Sequence, residues 1–254
     1  WSATIIFSPA IGSYLEQYYN WRACFYLILI YNIIICLLAV FVLKETLPHK
    51  EPINVKSITA NYRIIFTDPL FLALTLCTAL LYSNVPLFTI FSSYICQSRL
   101  NLSASQFGHI TILSGTAWLM GSLIYQRKIK QRTPHLKSGF HLIIFISLSM
   151  IYIATHATLS LPVLLIPSLI ALVILSYAYT NIWTTAITQH PEIGATSASF
   201  LSTTLWVITS LLINMNAIAH TYSVLTIALN YFLLSLLAYL LLSMTTYRQA
   251  KRIM

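Results

Sequence analysis

Hydrophobic positions run through this chain in long blocks, and polar positions gather in short clusters between them. Eight blocks stand out, at roughly residues 1–16, 22–43, 70–95, 106–126, 139–157, 161–188, 194–216 and 222–246. The first is short. The others approach or exceed the ~20 residues that a helix needs to cross the hydrocarbon core. Backbone polar groups in lipid must be satisfied within the segment, so the blocks predict helices. Strand-like alternation is absent, and a barrel would need many shorter segments. The expectation is an all-α polytopic membrane protein with about eight transmembrane helices.

Composition strengthens this. Of 254 residues, 58% are hydrophobic and only 7% charged. A soluble domain carries about 25% charged residues, so this chain cannot cover a water-facing surface. The four cysteines, Cys24, Cys36, Cys77 and Cys96, show no metal spacing and read as packing residues.

Charge then sets an orientation. Residues 44–69 hold Lys44, Lys50, Lys56 and Arg63, and residues 127–138 hold Arg127, Lys128, Lys130, Arg132 and Lys137. The tail adds Arg248, Lys251 and Arg252. Alternating crossings put these twelve of the fourteen basic residues on one side and leave Arg22 and Arg99 on the other. The positive-inside rule makes the rich side, with the C-terminus, cytoplasmic. Short loops beside spans explain the basic runs better than a nucleic-acid patch does.

The connection at 44–69 is the only long one. Val55, Ile58, Tyr62, Ile65 and Phe66 recur in it at steps of three and four, with Lys56 and Arg63 off the stripe. That spacing predicts a short amphipathic helix on the membrane surface. Asp68 and Pro69 read as the cap and first turn of the next helix.

No Asp, Glu, Lys or Arg falls in mid-span, where a charge costs roughly 2.5–3.5 kcal/mol and is usually functional. The seven histidines sit near span ends and read as interfacial anchors. There is no phosphate loop, metal-ligand cluster or nucleophile–base constellation, so enzyme chemistry is not expected, and no cofactor. Neutral polar groups within spans are more informative. In "LLYSNVPLF", Pro86 leaves the carbonyl of Tyr82 without its amide partner. Tyr82 and Asn84 are candidates to line a substrate path, with Pro86 letting the helix flex; the alternative is local repair of the proline site. In "SYAYTNIWTT", Tyr177, Thr180, Asn181 and Thr184 share a helix face that should look inward. Aromatic rings with a few amides suit largely apolar ligands. The alternative there is hydrogen bonding between helices. Trp183 falls off the stripe and reads as packing, while Trp118 and Trp206 are further cavity candidates. Two rows of small residues, Gly194–Ala198–Ser202 and Ala117–Gly121, predict close helix packing. Pro9 and Gly12 predict a bent first helix with room for close backbone approach.

Several motifs carry a family likeness. "SPAIGSYLEQYYNWRACF" at 8–25, followed by an apolar span and "LKETLP" at 43–48, resembles major facilitator superfamily transporters, and most of all the drug-exporting Bcr/CflA branch. Pro9, Gly12, Trp21, Arg22 and the 45–48 run match; Ser8 and Ser13 stand where that branch usually has glycine. "TDPLFLALTL", "LNLSASQFGHITILSGTAWLMGS" and "HPEIGATSASFLSTTL" resemble the starts of its seventh, eighth and eleventh helices.

The resemblance implies a partial major facilitator fold, helices five to twelve of twelve. Residues 1–43 would be the last two helices of an N-terminal half, 44–69 the central cytoplasmic loop, and 70–254 a six-helix C-terminal half with a basic tail. It implies that Pro9 and Gly12 shape the contact between halves and limit leakage. It also implies that the seventh and tenth helices line the cavity, which favours Tyr177 and Asn181 as binding residues. The expected function is secondary active, proton-coupled export of drugs or other small amphiphilic compounds from a bacterial inner membrane. The partners would be the bilayer, a small-molecule substrate and the absent N-terminal helices, which would hold the proton-carrying carboxylate. The alternatives are a specific metabolite transporter or an inactive remnant.

Overall fold

The computed structural model describes residues 2–44, 54–129, 136–218 and 222–253. The motif at 45–48 and the basic residues Lys50, Lys130 and Arg132 lie outside the described residues. The described residues are helical throughout, apart from short connections. The helices are α1 (Ser2–Tyr18), α2 (Trp21–Phe41), α3 (Val55–Thr67), α4 (Pro69–Tyr94), α5 (Ala104–Ile129), α6 (Leu136–His156), α7 (Leu161–Ile187), α8 (Gly194–Ile218) and α9 (Val224–Ile253). A wider π-type turn, Ile95–Arg99, extends α4, and a 3-10 turn, Pro191–Ile193, leads into α8.

Seven of the described helices are long and apolar enough to cross a membrane, one fewer than the eight blocks suggested. The shortfall is α1, a helix of 17 residues. Its apolar run contains Ser8, Pro9 and Ser13 and ends at Glu16, which shortens the lipid-compatible length. It nevertheless runs antiparallel along α5. Ile6 meets Gly115, Ser13 meets Gly108, and the Ser105 amide donates to Gln17 Oε1 at 3.1 Å.

Six helices form one bundle. α4 packs against α7, α8 and α9, so it is the most enclosed: 16 of its residues are buried. α6 closes against α7 and α9, and α5 joins through α7. With no hydrophobic drive between helices in lipid, close packing and polar pins hold such a bundle together. Gly121 is one packing point. A Cβ there would overlap the Val173 carbonyl oxygen and lie 2.7 Å from Ser176 Cβ. Ser176 also donates to the Trp118 carbonyl. The expected Ala117–Gly121 seam is therefore the α5–α7 contact. Gly194 is different: nothing lies within 4 Å of its missing Cβ, so the predicted seam does not begin there. Ser83 and Thr209 hydroxyls pair at 2.8 Å between α4 and α8, and Asn216 and Asn230 exchange amide hydrogen bonds between α8 and α9.

The amphipathic helix is present as α3. Asn54 caps it by accepting from the Lys56 amide, and Ile65 is fully buried. Tyr62 and Phe66 pack against Phe200 of α8. Asp68 is the cap of α4, its Oδ1 accepting from the amides of Leu70 (2.8 Å) and Phe71 (3.2 Å), with Pro69 in the first turn. α2 has no buried residue; it touches α1 and otherwise presents apolar side chains outward. Its start is pinned by Asn20, which accepts from the Ala23 amide, and by the Arg22 guanidinium 4.5 Å over the Trp21 ring.

Candidate functional site

A cleft of about 650 Å³ opens between α5, α7 and α8. Trp118, Ser122 and Gln126 reach it from α5, spaced by four residues each, so they form one stripe. Tyr179, Thr180 and Trp183 come from α7, and Ser202, Leu205 and Trp206 from α8. The floor is aromatic. Trp118 and Tyr179 are buried, with ring centroids 5.4 Å apart, and Trp183 stacks on Tyr179 at 5.8 Å. Trp206 is 51% exposed and stands at the opening. None of these lining residues is an Asp, Glu, Lys or Arg.

The cleft lies on a face of α5 that does two jobs. Gly108 and Gly115 lie on the same side of the helix as Trp118, Ser122 and Gln126. At the Gly108 end, that side carries α1. At the Gln126 end, it lines the cleft. Two polar contacts pin the covered end: Gln17 to the Ser105 amide, and the Tyr14 hydroxyl to His109 Nε2 at 2.7 Å. α1 thus covers one part of this face, and the cleft takes the part nearer the end of α5 that follows Gln126.

The candidates from sequence fall in three places. Thr180 lines the cleft, with its hydroxyl donating to the Ser176 carbonyl at 2.8 Å. Tyr82 backs it: its ring lies 5.6 Å from Trp206, 5.7 Å from Tyr179 and 6.3 Å from Trp118. Trp118 and Trp206, the further candidates, line the cleft, whereas Asn84, Pro86, Tyr177 and Asn181 do not. Asn84 is fully buried, and its Nδ2 donates to the carbonyls of Leu80 and Leu81 in its own helix. α4 continues unbroken through half-buried Pro86. Tyr177 stands edge-on to Tyr125 at 5.9 Å, and Tyr125 in turn pairs with Thr184 at 2.8 Å. Asn181 is half-buried and is not among the lining residues. Of the polar stripe of α7, Tyr177 and Thr184 therefore meet Tyr125 of α5, while Thr180 at its edge lines the cleft. The face α7 turns to the cleft is rotated by roughly one residue position, about 100°.

The sequence reading missed Tyr179, Ser122, Gln126 and Ser202 and gave Trp183 to packing. The usable signal was the i, i+4 pairing of a large ring with a small polar group or a second ring: Trp118–Ser122, Tyr179–Trp183 and Ser202–Trp206.

At α1, Pro9 sits half-buried within a continuous helix. Gly12 does not provide the close approach expected of it: nothing lies within 4 Å of its missing Cβ. The close approach is supplied from the other side, by Gly108 and Gly115. A Cβ on Gly115 would lie 2.6 Å from Ile6 Cα. Gly12 instead offers its carbonyl to the Cys24 thiol of α2 at 3.6 Å.

A helical bundle of membrane-crossing length beside a neutral, aromatic cleft defines a polytopic membrane protein. Residues 1–214 match the family profile of the Major Facilitator Superfamily, and the chain belongs to that superfamily. As such it is a membrane transporter with a partial major facilitator fold. Among curated proteins none matches the chain.

Proposed function

We propose that this chain moves small amphiphilic compounds across a membrane by alternating access, as an exporter of the Bcr/CflA kind coupled to proton entry. The observation that carries the reading is the division of the α5 face. One half is sealed by α1 through Gly108 and Gly115, and the other opens as a cleft beside Trp118 and Gln126. An alternating mechanism opens its site to one side at a time, and this reading takes the cleft as the open side. With the basic loops cytoplasmic, the cleft opens to the cytoplasm of a bacterial inner membrane and the C-terminus lies inside. An exporter collects its substrate from that side.

The lining is apolar and aromatic with a few neutral polar groups, which suits amphiphiles. No carboxylate falls in mid-span, so this reading does not place the proton carrier within these spans. The test is transport into everted membrane vesicles from cells expressing the protein. A compound accumulated only under an acid-inside gradient, and released by an uncoupler, supports proton-coupled export. Accumulation equal to that of vesicles without the protein, across a broad panel, would overturn it.

A further inference from the structure

We infer that the cleft, taken as the transport site proposed above, selects a planar aromatic ring system, neutral or carrying a delocalised positive charge. Its rings provide the first reason. Tyr179 and Trp183 form a stack with 29° between their planes, and buried Trp118 extends the same apolar floor. Trp206 lies at 78° to Tyr82, so those two rings do not stack on each other, and Trp206 is 51% exposed. Flat ligands gain most from such walls, because offset stacking uses the whole ring face.

The polar groups provide the second reason. Beside the Tyr179 hydroxyl and the indole N–H groups, four non-aromatic polar side chains line the cleft, and two of these are already engaged within their own helices. Ser122 donates to Leu119 and Thr180 to Ser176, both at 2.8 Å. Gln126 and Ser202 remain for a ligand. A polyhydroxyl compound would bury several hydroxyls without partners, at a cost for each.

Charge provides the third. No lining cation could compensate a carboxylate or phosphate removed from water, so anions are excluded. A delocalised cation loses less hydration and is attracted by indole and phenol faces. A volume near 650 Å³ accommodates a ring system of drug size.

The experiment is equilibrium dialysis with the full chain in lipid nanodiscs, with empty nanodiscs correcting for partition into lipid. The probes are acridine, 9-aminoacridine, 9-anthracenecarboxylate, dodecyltrimethylammonium and glucose. Acridine and 9-aminoacridine are expected to bind at least tenfold more tightly than the other three. Trp183→Leu and Trp206→Leu should each weaken acridine binding at least fivefold, and Trp21→Leu, far from the cleft, should leave it unchanged. Trp206→Phe keeps a ring and should hold binding within about threefold, which tests the idea even where the leucine variants fold poorly. Equal binding of dodecyltrimethylammonium or 9-anthracenecarboxylate would overturn it, as would leucine variants that bind acridine like the parent. Cleft-dependent transport of a sugar or an organic anion would sink this selectivity and leave the transport reading standing. Planar-ring binding with no transport of any compound would do the reverse.

Discussion

Ile6 of α1 packs directly onto the backbone of α5 at Gly115, where an added Cβ would come within 2.6 Å of the Ile6 Cα. One turn or more toward the other end, the same side of α5 lines the cleft with Trp118 and Ser122. The seam and the cleft therefore share a helix face, and a change at one is felt at the start of the other.

Gly115→Val should force α1 away from α5. Overpacking of a tight contact costs about 1–3 kcal/mol, and here the strain can be relieved by separation. We expect a bifunctional thiol reagent to join cysteines placed at Gln17 and Ser105, with the native cysteines replaced. Adding Gly115→Val should reduce the yield several-fold. An unchanged yield would show that α1 tolerates the valine in place.

The same seam shows how much of the fold could be read from sequence. Helix type, the placing of the segments and the α3 amphipathic helix followed from hydrophobic blocks and spacing, since lipid leaves few alternatives for a backbone, although α1 falls short of crossing length. The Asp68–Pro69 helix start was legible because capping is local chemistry. Partner choice was not local. Gly12 reads as a packing glycine in the sequence and Gly115 carries no such mark, yet of the two only Gly115 has a neighbour at contact distance. Likewise, Tyr177 and Tyr179 are two residues apart, and only the arrangement of α4, α5 and α6 around α7 decides which one faces the cleft. Polarity alone pointed to Tyr177, Asn181 and Thr184, because a stripe that bonds a neighbouring helix has the same composition as one that bonds a ligand.

That difference is open to measurement. Trp183→Ala and Tyr179→Ala remove cleft surface, so transport of a given compound should fall at least fivefold while protein abundance in the membrane changes little. Tyr177→Ala removes the ring packed on Tyr125. It should lower the thermal unfolding midpoint by several degrees and leave the apparent KM of the remaining protein within about twofold. Asn181→Ala should behave like Tyr177→Ala in transport, since Asn181 is not among the lining residues. A larger KM change at Tyr177 or Asn181 than at Trp183 would return the binding surface to the polar stripe.

Asp68 does two things at once. Oδ1 caps α4, and Oδ2 lies 2.9 Å from His190 Nε2 in the turn before α8. Asp68→Asn keeps a capping oxygen and can still bond His190, whereas Asp68→Ala removes both. Loss of an N-cap costs about 0.5–2 kcal/mol. Asp68→Ala should therefore lower the unfolding midpoint in detergent clearly more than Asp68→Asn does. His190→Ala, which leaves the cap intact, should fall between them. Equal midpoints for Asp68→Asn and Asp68→Ala would mean that the cap contributes nothing measurable.

Phe200 holds α3 to the bundle. Phe66 meets it at 5.3 Å, Tyr62 at 6.4 Å and Phe71 at 6.2 Å, each as ring-centroid separations. Aromatic pairs of this kind contribute about 0.5–1.5 kcal/mol each beyond burial. The N-terminal turns of α3 offer little else, since Val55 and Ile58 are exposed. Phe200→Ala should therefore loosen α3 without unfolding α4 or α8, whose Ser83–Thr209 contact is untouched. Lys56 and Arg63 lie on α3, so limited trypsin digestion reports on its docking directly. Cleavage after Lys56 and Arg63 should rise several-fold in Phe200→Ala, with the rest of the bundle still resistant. Phe200→Leu, which keeps apolar bulk but no ring, should give an intermediate rate. If Phe200→Ala is cut no faster than the parent, α3 is held by the fully buried Ile65 alone, and the aromatic cluster is a consequence of its docking and not a cause.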